Sequence, residues 1–531
     1  GSIPTPRRWS IALCLGQPKF IVMAMQRVRG LAKRSAKMGA VCGVVAAGTS
    51  LTFKFVNDDL DDVSYAIRKR FYPAPAVDER KKVVVLGSGW GAMSFVRKLD
   101  PALYNVTMVS PRPFFFYTPL LVGSTTGVVS PGAIIEPVRD VADVDLLRVE
   151  CKSVDLNAKR VHCDQGVALD YDHLVVAVGA QPNTFGIPGV DKHAFFMKEI
   201  EHARAVRKHM LDVIERADVA MAAGRVDQVK KMLNFVVVGG GPTGVEFCGE
   251  LSDFISMNLK KRYPRIAEHF KVTLVEALPS LLTMFDKSIS SYVHEHLVGQ
   301  GVDIRLNAAV KEVTEDVVQV KNKDGSVDTM EYGALVWVAG VGMRPFTKAL
   351  CEQIGTDNGQ TDRRGLLVDE CLRVKGTPPG EVFAIGDCAV SGNPPTAQVA
   401  FQQGKYLGKL FRRGSEDMLA SPETKGFSYM HQGAMAYIGK GEAATQLDPN
   451  GILKLGKGTI TDHMFWRALY GDSDQLRIGG LAGFAIWRSV YYLKLMSARN
   501  CWAVASDWMR TTFFGRPASS SAQGTYMLAG N

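Results

Sequence analysis

Three glycines and a distant glutamate form the most informative chemical pattern in this 531-residue sequence. The apolar run Phe235–Val238 leads into Gly239-Gly240-Gly241-Pro242-Thr243-Gly244, and a second apolar run, Lys271–Val275, ends at Glu276. The first glycine permits a tight turn, the second lets the backbone approach a pyrophosphate, and the third lets helix and strand pack closely. The pattern predicts a dinucleotide site in which Glu276 accepts hydrogen bonds from a ribose and favours NADH over NADPH.

A second fingerprint precedes the first one in the chain. The apolar run Val83–Leu86 leads into Gly87-Ser88-Gly89-Trp90-Gly91-Ala92, which is the alanine form of the same motif. The next apolar strand ends in Ser110-Pro111-Arg112 instead of an acidic residue; Ser110 can still bind a ribose, and Arg112 could lie near phosphate. Much later, a short strand ends in Gly386-Asp387, which can aim a carboxylate at a ribityl hydroxyl. Together these motifs predict a flavoprotein that binds two dinucleotides.

The order of the motifs predicts that one nucleotide-binding unit is inserted into the other. Two buried-type strands, at 174–178 and 334–338, end in small residues where the chain would cross between units. We therefore expect an α/β fold with two Rossmann-like dinucleotide-binding domains followed by amphipathic C-terminal helices. The expected domains are a leader (1–57), an FAD domain (80–200 with 345–412), an NADH domain (201–344), a membrane-anchoring and dimerisation region (413–517) and a disordered tail (518–531).

Positive charge is concentrated at the start of the chain. Residues 1–57 contain nine Lys or Arg and no acidic residue. Such a leader is typical of a mitochondrial targeting segment, with a disordered basic arm as the alternative. Residues 38–53 are uncharged but too short and too rich in Gly, Ser and Thr to predict a spanning helix. The rest of the sequence is nearly neutral, so its charge gives no support to nucleic-acid binding.

The nine cysteines show neither a CxxC pair nor metal-ligand spacing. A pyridine-nucleotide disulfide reductase needs a redox cysteine pair early in its first unit, but no cysteine lies between Cys42 and Cys151. A sulfide:quinone oxidoreductase stays open through Cys151, Cys163 and Cys351, although sulfide oxidation has no need of the second fingerprint. The aspartates between residues 460 and 480 do not match EF-hand spacing, so no metal is expected.

The sequence resembles the type II NADH:quinone oxidoreductases, the single-subunit alternative NADH dehydrogenases. The resemblance covers residues 80–517 and rests on both fingerprints and on Thr118-Pro119-Leu120-Leu121, which follows the Ser110-Pro111-Arg112 segment. It rests also on Ala384–Cys388 and, above all, on the run from Thr396 to Gly404. Serine at position 110 is common in this family, so the missing acid there agrees with the assignment.

The resemblance implies non-covalent FAD in the first unit and NADH in the second, with the nicotinamide stacked on the flavin and quinone arriving at the other face. It places Glu246 by the nicotinamide, with Glu250 as a further matching acid, and Gln402 and Gln398 on the quinone side. The FAD contacts expected are Gly87, Ser88, Gly89, Trp90, Gly91, Ala92, Ser110, Pro111, Arg112, Thr118, Ala177, Gly179, Gly386, Asp387, Ala397 and Gln398. The NADH contacts expected are Gly239, Gly241, Pro242, Thr243, Gly244, Glu246, Glu276, Ala339 and Gly340.

The C-terminal region predicts attachment to a membrane surface. Residues 481–496 place Phe484, Trp487, Tyr491 and Leu495 on one helical stripe, and a second helix-like run contains Trp502, Trp508, Phe513 and Phe514. Neither run is apolar enough to span a bilayer, but both suit the headgroup plane, with packing on the core or on a dimer partner as the alternative. The resemblance implies a homodimer formed through the C-terminal helices. We expect it on one face of the mitochondrial inner membrane, where it passes electrons to ubiquinone. No spanning helix with buried charges is visible in the sequence, so proton pumping is not expected. A second alternative to the oxidoreductase function is a flavoprotein similar to apoptosis-inducing factor, in which NADH acts mainly as a ligand that governs partner binding.

Overall fold

The computed structural model describes residues 80–413, 416–447, 476–478 and 480–517. The expected leader (1–57), the expected tail (518–531) and most of the 460–480 insertion lie outside these residues. None of the helices in the described part of the chain is long and apolar enough to cross a membrane.

The strands follow the predicted apolar runs closely. In chain order they are β1 (Lys81–Leu86), β2 (Tyr104–Val109), β3 (Phe114–Phe116), β4 (Ile135–Pro137), β5 (Asp145–Leu147), β6 (Cys151–Asp155), β7 (Arg160–Cys163), β8 (Ala168–Asp170), β9 (His173–Val176), β10 (Ala180–Pro182), β11 (Phe195–Phe196), β12 (Asn234–Val238), β13 (Lys271–Val275), β14 (Val302–Arg305), β15 (Ala309–Val313), β16 (Val317–Lys321), β17 (Val327–Glu331), β18 (Ala334–Trp337), β19 (Val341–Met343), β20 (Leu366–Leu367), β21 (Val382–Ala384), β22 (Ala389–Val390), β23 (Ala434–Gly439), β24 (Glu442–Leu447) and β25 (Leu476–Ile478).

The α-helices are α1 (Trp90–Val96), α2 (Leu121–Thr126), α3 (Val138–Val141), α4 (Val190–His193), α5 (Ile200–Ala222), α6 (Val226–Met232), α7 (Pro242–Phe254), α8 (Lys260–Arg262), α9 (Lys287–Val298), α10 (Pro345–Ile354), α11 (Ala397–Arg413), α12 (Glu416–Ala420), α13 (Gly480–Leu493) and α14 (Ala498–Phe514). One π-helical turn, Ile255–Leu259, joins α7 to α8, so the helical run after the second fingerprint reaches Arg262. This long run accounts for the wide sequence spacing between that fingerprint and Glu276.

Two parallel five-stranded sheets form the centre of the fold. The first has the order β21-β9-β1-β2-β5, and the second has the order β11-β18-β12-β13-β14. Their central strands are buried along most of their length, as expected for parallel strands covered on both faces. The other four strands of the first sheet, β1, β2, β5 and β9, end by residue 176, and β21 begins only at residue 382. All strands of the second sheet lie between these positions, so the second sheet is inserted within the sequence of the first.

The two sheets are linked by a pair of short antiparallel strands. β10 pairs with β19 through Ala180↔Met343, Gln181↔Gly342 and Pro182↔Val341. These strands directly follow the two apolar runs that the sequence placed at the crossings between units. The second sheet already begins at Phe195, ahead of the expected boundary at residue 201.

The aromatic run after Arg112 adopts an ordered extended structure. β3 pairs antiparallel with β4, and a 3₁₀ turn, Thr118–Leu120, leads into α2. Phe115, Phe116 and Tyr117 are buried in the main core. The prolines thus exclude a long helix here, as predicted, and the run packs as part of the interior.

Candidate functional site

The second fingerprint forms a tight turn with open space in front of its helix. Gly239 has φ +117°, and a Cβ there would lie 2.9 Å from the amide nitrogen of Ala339. A Cβ on Gly244 would overlap the carbonyl oxygen of Gly239, whereas a Cβ on Gly241 would meet nothing within 4 Å. Helix α7 begins at Pro242 with no side-chain cap and no acid in its first turn. Its N-terminal amides therefore fit a pyrophosphate.

Glu276 follows β13 and borders this turn. One carboxylate oxygen accepts a hydrogen bond from the Gly240 amide at 2.5 Å, and the other accepts from the Leu278 amide at 2.7 Å. These two bonds fix the orientation of the carboxylate beside the turn of the second fingerprint. The arrangement fits a ribose with free hydroxyls, while a 2′-phosphate would face a negative charge.

The first fingerprint has a similar geometry. Gly87 has φ +108°, and a Cβ there would overlap the carbonyl oxygen of Ala177 at the end of β9. A Cβ on Gly89 would meet nothing within 4 Å, and α1 also lacks a side-chain cap. Gly404 brings α11 against α1, because a Cβ there would overlap the carbonyl oxygen of Gly91. The motif that contains Gln398 and Gln402 is thereby held against this nucleotide turn.

Ser88 and Ser110 support each other beneath the first fingerprint. Their hydroxyl oxygens lie 3.0 Å apart, and the Arg112 amide donates to the Ser110 oxygen at 3.2 Å. Both serines are buried, so their hydroxyls organise the turn from below. Position 110 thus carries a serine in place of the usual acid, and the serine hydroxyl hydrogen-bonds to other groups of the protein.

Arg112 is held by the protein at the border between the two sheets. Its guanidinium pairs with Glu199 and stacks over the ring of Phe116 at 4.7 Å. Glu199 also binds Arg344 at 3.1 Å. Burial lowers the pKa of Arg112, and the charge of Glu199 opposes this shift. Glu199 therefore joins Arg112 of the first unit to Arg344 of the second, an arrangement that the sequence did not reveal.

Asp387 lies where the sequence placed it, at the end of β21. Lys198 pairs with it at 3.2 Å, and Gly386 has φ +77°. The Gly386 amide donates to the side-chain oxygen of Gln403 at 2.7 Å, and the Gln403 nitrogen donates to Ser391 at 2.9 Å. Gln403 is fully buried. It fixes the Gly-Asp turn and was missed as a site residue, although it stands beside Gln402 in the same motif.

An aromatic wall lies between the first fingerprint and α11. Trp90 donates to Thr118 at 2.9 Å and contacts the rings of Phe115 and Tyr117 at centroid distances of 5.0 and 5.2 Å. Tyr117 is fully buried, and its hydroxyl has no partner among the described residues. An orphaned hydroxyl beside the fingerprint fits a site that a planar cofactor and its substrate complete.

Gln398 and Gln402 bind the loop before β23. Gln402 donates to the Met430 carbonyl at 2.8 Å and accepts from the Met430 amide at 3.0 Å. Gln398 donates to the Gly433 carbonyl at 2.8 Å and accepts from Gln432 at 3.2 Å. Both ends of each amide are therefore used. The expected direct contact of these amides with quinone stays a prediction, and their visible role is to position residues 429–433.

Glu246 is buried against the C-terminal region. Its side chain accepts hydrogen bonds from the Tyr437 amide at 3.2 Å and from the Trp487 indole at 3.4 Å. Burial raises the pKa of Glu246 to about 8, while these two donors partly oppose the shift. The carboxyl thus keeps its proton at neutral pH. A neutral carboxylic acid can act as a proton donor or as a hydrogen-bond donor.

Two further acids of α7, Glu250 and Asp253, follow Glu246 by about one and two helical turns. Arg516 binds Glu250 at 2.7 Å and lies 3.8 Å from Asp253. Asp253 accepts from the Tyr437 hydroxyl at 2.5 Å, and Thr126 donates to Glu250 at 3.1 Å. All these groups are buried. Tyr437, Asp253 and Arg516 were not predicted as site residues.

Helix α13 packs its apolar stripe on the protein instead of presenting it to a membrane. Trp487 is buried, and Phe484 and Tyr491 pack against the same core. The most exposed aromatic residues in the described part of the C-terminal region lie on α14, where Trp502, Phe513 and Phe514 are at least three-quarters exposed. The aromatic side chains of the α13 stripe thus pack on the core, whereas three of those on α14 are largely exposed. The similar compositions of the two helices did not predict this difference.

Comparison with known proteins gives two matching families. The family described as pyridine nucleotide-disulphide oxidoreductase matches residues 81–404, and the NDH2 C-terminal domain matches residues 471–517. The External NADH-ubiquinone oxidoreductase 2, mitochondrial, of Saccharomyces cerevisiae is 37% identical, with 89% of this chain and 90% of that protein covered. This chain belongs to the type II NADH:quinone oxidoreductases. The predicted family and the predicted fold are both confirmed.

Further proteins are similar to this chain in sequence or in fold. The External alternative NAD(P)H-ubiquinone oxidoreductase B2, mitochondrial, of Arabidopsis thaliana is 34% identical over 83% of this chain and 90% of its own length. NDH2 from Plasmodium falciparum in complex with NADH has a TM-score of 0.73 and 26% identity, covering 83% of this chain and all of that one. A sulfide:quinone oxidoreductase from Aquifex aeolicus has a TM-score of 0.59 at 17% identity, over 82% of this chain and 96% of that one. This last likeness shows the fold alone.

Proposed function

We propose that this chain is a mitochondrial NADH:ubiquinone oxidoreductase that binds FAD non-covalently and does not pump protons. The main support is the pair of nested dinucleotide turns, one of them flanked by Glu276 and the other by Asp387. Bound FAD would accept two electrons from NADH and pass them to quinone. We propose that residues 80–200 and 345–412 hold FAD and that residues 201–344 hold NADH.

The residues of the chain bind, orient and supply protons in this reaction. The amides at the start of α7 hold the NADH pyrophosphate, and Glu276 selects the unphosphorylated ribose. Asp387 and the buried Gln403 form the ribityl side of the FAD site. Glu246 holds a proton at a buried position on α7, where it is available for transfer as charge develops on the substrates. Gln398 and Gln402 shape the quinone approach through the loop at 429–433.

The chemistry of the cysteines argues against a sulfide oxidase. Burial raises the pKa of Cys151 to about 12, and burial also raises the pKa values of Cys163 and Cys351. Sulfide oxidation needs reactive thiolates, and a thiol that keeps its proton is a poor nucleophile. Cys151 and Cys163 stand opposite each other on β6 and β7 within the core of the first unit. Their role in this proposal is structural.

We also propose attachment to one face of the inner membrane through α14 and a homodimer formed through the C-terminal helices. The exposed residues Trp502, Met509 and Phe513 recur along one side of α14, opposite the buried Val504 and Asp507. Such a face suits the headgroup region of a bilayer. Sedimentation of the detergent-solubilised protein tests the proposed homodimer. A monomer at all protein concentrations would contradict it.

The deciding experiment follows the two half-reactions without oxygen. NADH should bleach the flavin absorbance of the purified protein rapidly, and a short-chain ubiquinone should restore it. A long-lived reduced complex that quinone barely reoxidises would favour an NADH-sensing flavoprotein. Bleaching by sulfide but not by NADH would overturn the assignment of the second fingerprint.

Nucleotide preference tests the proposed role of Glu276. Changing Glu276→Ser removes the negative charge that would meet a 2′-phosphate, so the kcat/KM for NADPH should rise relative to that for NADH by at least about tenfold, or about 1.4 kcal/mol. Glu312→Ser, on the small sheet β15–β17, serves as the control. An unchanged NADPH/NADH ratio in Glu276→Ser would contradict the assignment.

A further inference from the structure

The helical run α7–α8 and helix α14 end beside each other. A Cβ on Gly515 would lie 2.7 Å from the side-chain nitrogen of Asn258, and Arg516 donates to the Glu250 carbonyl at 2.9 Å. Asn258 belongs to the π-helical turn that joins α7 to α8. The nucleotide-binding helix therefore brings its C-terminal end to the exposed end of the last helix.

Large apolar side chains are exposed on both sides of this junction. Phe513 and Phe514 are 78% and 83% exposed at the end of α14. Met257, the residue before Asn258, is 49% exposed. Three such side chains around one contact form an apolar surface to which two separate elements contribute.

A group of three basic residues borders this apolar surface. Lys260, Lys261 and Arg262 are exposed and follow Met257 and Asn258 within about one helical turn. None of the three forms an ion pair within the part of the chain described. Arg265 differs, since it pairs with Asp218 at 2.6 Å. The nearby Glu215 accepts a hydrogen bond from the neutral Tyr263 hydroxyl at 2.6 Å and keeps its negative charge. Three unpaired bases next to one such acid leave this edge with a net positive charge.

We propose that Lys260, Lys261 and Arg262 bind the phosphate headgroups of an anionic bilayer while Met257, Phe513 and Phe514 enter its interface. Unpaired bases next to exposed aromatic residues complement an anionic lipid surface in both charge and polarity. This inference rests on the proposed membrane attachment and deepens it by naming the lipid class. It also assigns part of the membrane surface to the helical run that begins at the NADH-binding turn, outside the C-terminal helices.

Vesicle binding of the full-length holoenzyme tests the proposal. Vesicles of phosphatidylcholine alone are compared with vesicles that also contain phosphatidylglycerol, at low and high salt. Each basic residue near an anionic surface strengthens binding about fivefold, so the triple variant Lys260→Gln, Lys261→Gln, Arg262→Gln should bind the anionic vesicles at least tenfold more weakly. Its binding to phosphatidylcholine and its oxidation of NADH by soluble quinone should not change.

A matched control removes three positive charges elsewhere. Lys311→Gln, Lys321→Gln and Lys323→Gln change exposed bases on and beside the small sheet β15–β17. This variant should keep the preference for anionic vesicles. An equal loss in both variants would reduce the effect to net charge and overturn the proposal, as would an unchanged triple variant. If the unaltered enzyme binds neither kind of vesicle, the proposed membrane attachment fails as well, whereas binding that ignores lipid charge rejects only this inference.

Discussion

Glu246 illustrates how a single buried carboxyl can carry a proton at neutral pH. Its pKa is raised to about 8 by burial, and its two hydrogen-bond donors, Tyr437 and Trp487, come from the C-terminal region. The folded chain therefore keeps a proton that the unfolded chain releases near the ordinary pKa of 4.5. The stability contributed by this proton is fully present below 4.5 and is lost as the pH rises to about 8.

Changing Glu246→Gln should remove this pH dependence. The amide is similar in shape to the protonated carboxyl but does not ionise, so the melting temperature of the variant should fall less than that of the unaltered enzyme as the pH rises to about 8. Each pKa unit corresponds to about 1.4 kcal/mol, so the difference should reach a few kcal/mol. Thermal melts across this pH range measure it.

An infrared pH titration provides the independent readout. The unaltered enzyme should show a carboxylic-acid C=O band that disappears with an apparent pKa of about 8. That band should be missing in Glu246→Gln. A band of equal size in both proteins would assign the proton to another group and contradict the role of Glu246.

Substitutions of the three glutamines of α11 should impair two different steps, the reaction with quinone and the retention of FAD. Gln398→Ala and Gln402→Ala each free the loop at 429–433, so the KM for quinone should rise roughly tenfold, about 1.4 kcal/mol, while reduction by NADH stays fast. Gln403→Ala frees the Gly386 turn, so it should instead release FAD on dilution. Stopped-flow half-reactions and the flavin content after gel filtration distinguish the two effects. Equal flavin loss in all three variants would contradict the separate roles.

At the scale of elements, α7 links the turn of the second fingerprint to the segment that follows α14. Its carboxylates Glu246, Glu250 and Asp253 recur every three or four residues and so lie on one side of the helix. Gly249 allows close approach, since a Cβ there would lie 2.6 Å from the Ile438 backbone on β23. Arg516 closes the same side from the end of α14.

Replacing Arg516→Met should strongly destabilise this junction. The change leaves Glu250 and Asp253 buried without their cation, a loss of about 3–5 kcal/mol in the free energy of unfolding. The control Arg510→Met breaks the Arg510–Asp507 pair, in which the arginine is half exposed, and should cost less than about 1 kcal/mol. Denaturant unfolding of both variants measures the two losses in the free energy of unfolding. Similar losses would show that the buried pairs contribute no more than the exposed one.

The sequence predicted the elements whose requirements are local. The glycines of both fingerprints, Glu276 at the end of β13 and the Gly386-Asp387 turn were placed correctly because turn geometry and strand ends depend on neighbouring residues. The bond between Arg516 and the Glu250 backbone joins positions 266 residues apart, and no local pattern signals it. The aromatic stripe of α13 gave an ambiguous signal, since core packing and membrane contact need the same periodicity.

For the whole molecule, attachment to a bilayer should depend on α14 and not on α13. Trp502→Ser with Phe513→Ser removes two exposed aromatics, so the enzyme should dissociate from phosphatidylcholine vesicles while keeping its activity with soluble quinone. Burying one such side chain gains about 1.5–3 kcal/mol, so binding should weaken at least tenfold. Val219→Ser, an exposed apolar residue on α5, is the control. Unchanged binding in the double variant would contradict the proposed surface.

The junction at Arg516 also has a consequence for how the enzyme is assembled. A chain that enters an organelle from its N-terminus can pair the strands of both parallel sheets once β21 has arrived. The enclosure of Glu246 still needs Tyr437 and Trp487, and the charges of α7 stay unpaired until Arg516 arrives. A partly translocated chain would hold both five-stranded sheets while Glu246 lacks both of its hydrogen-bond donors. The partners of Glu246, Glu250 and Asp253 are therefore complete only when the chain through Arg516 has arrived.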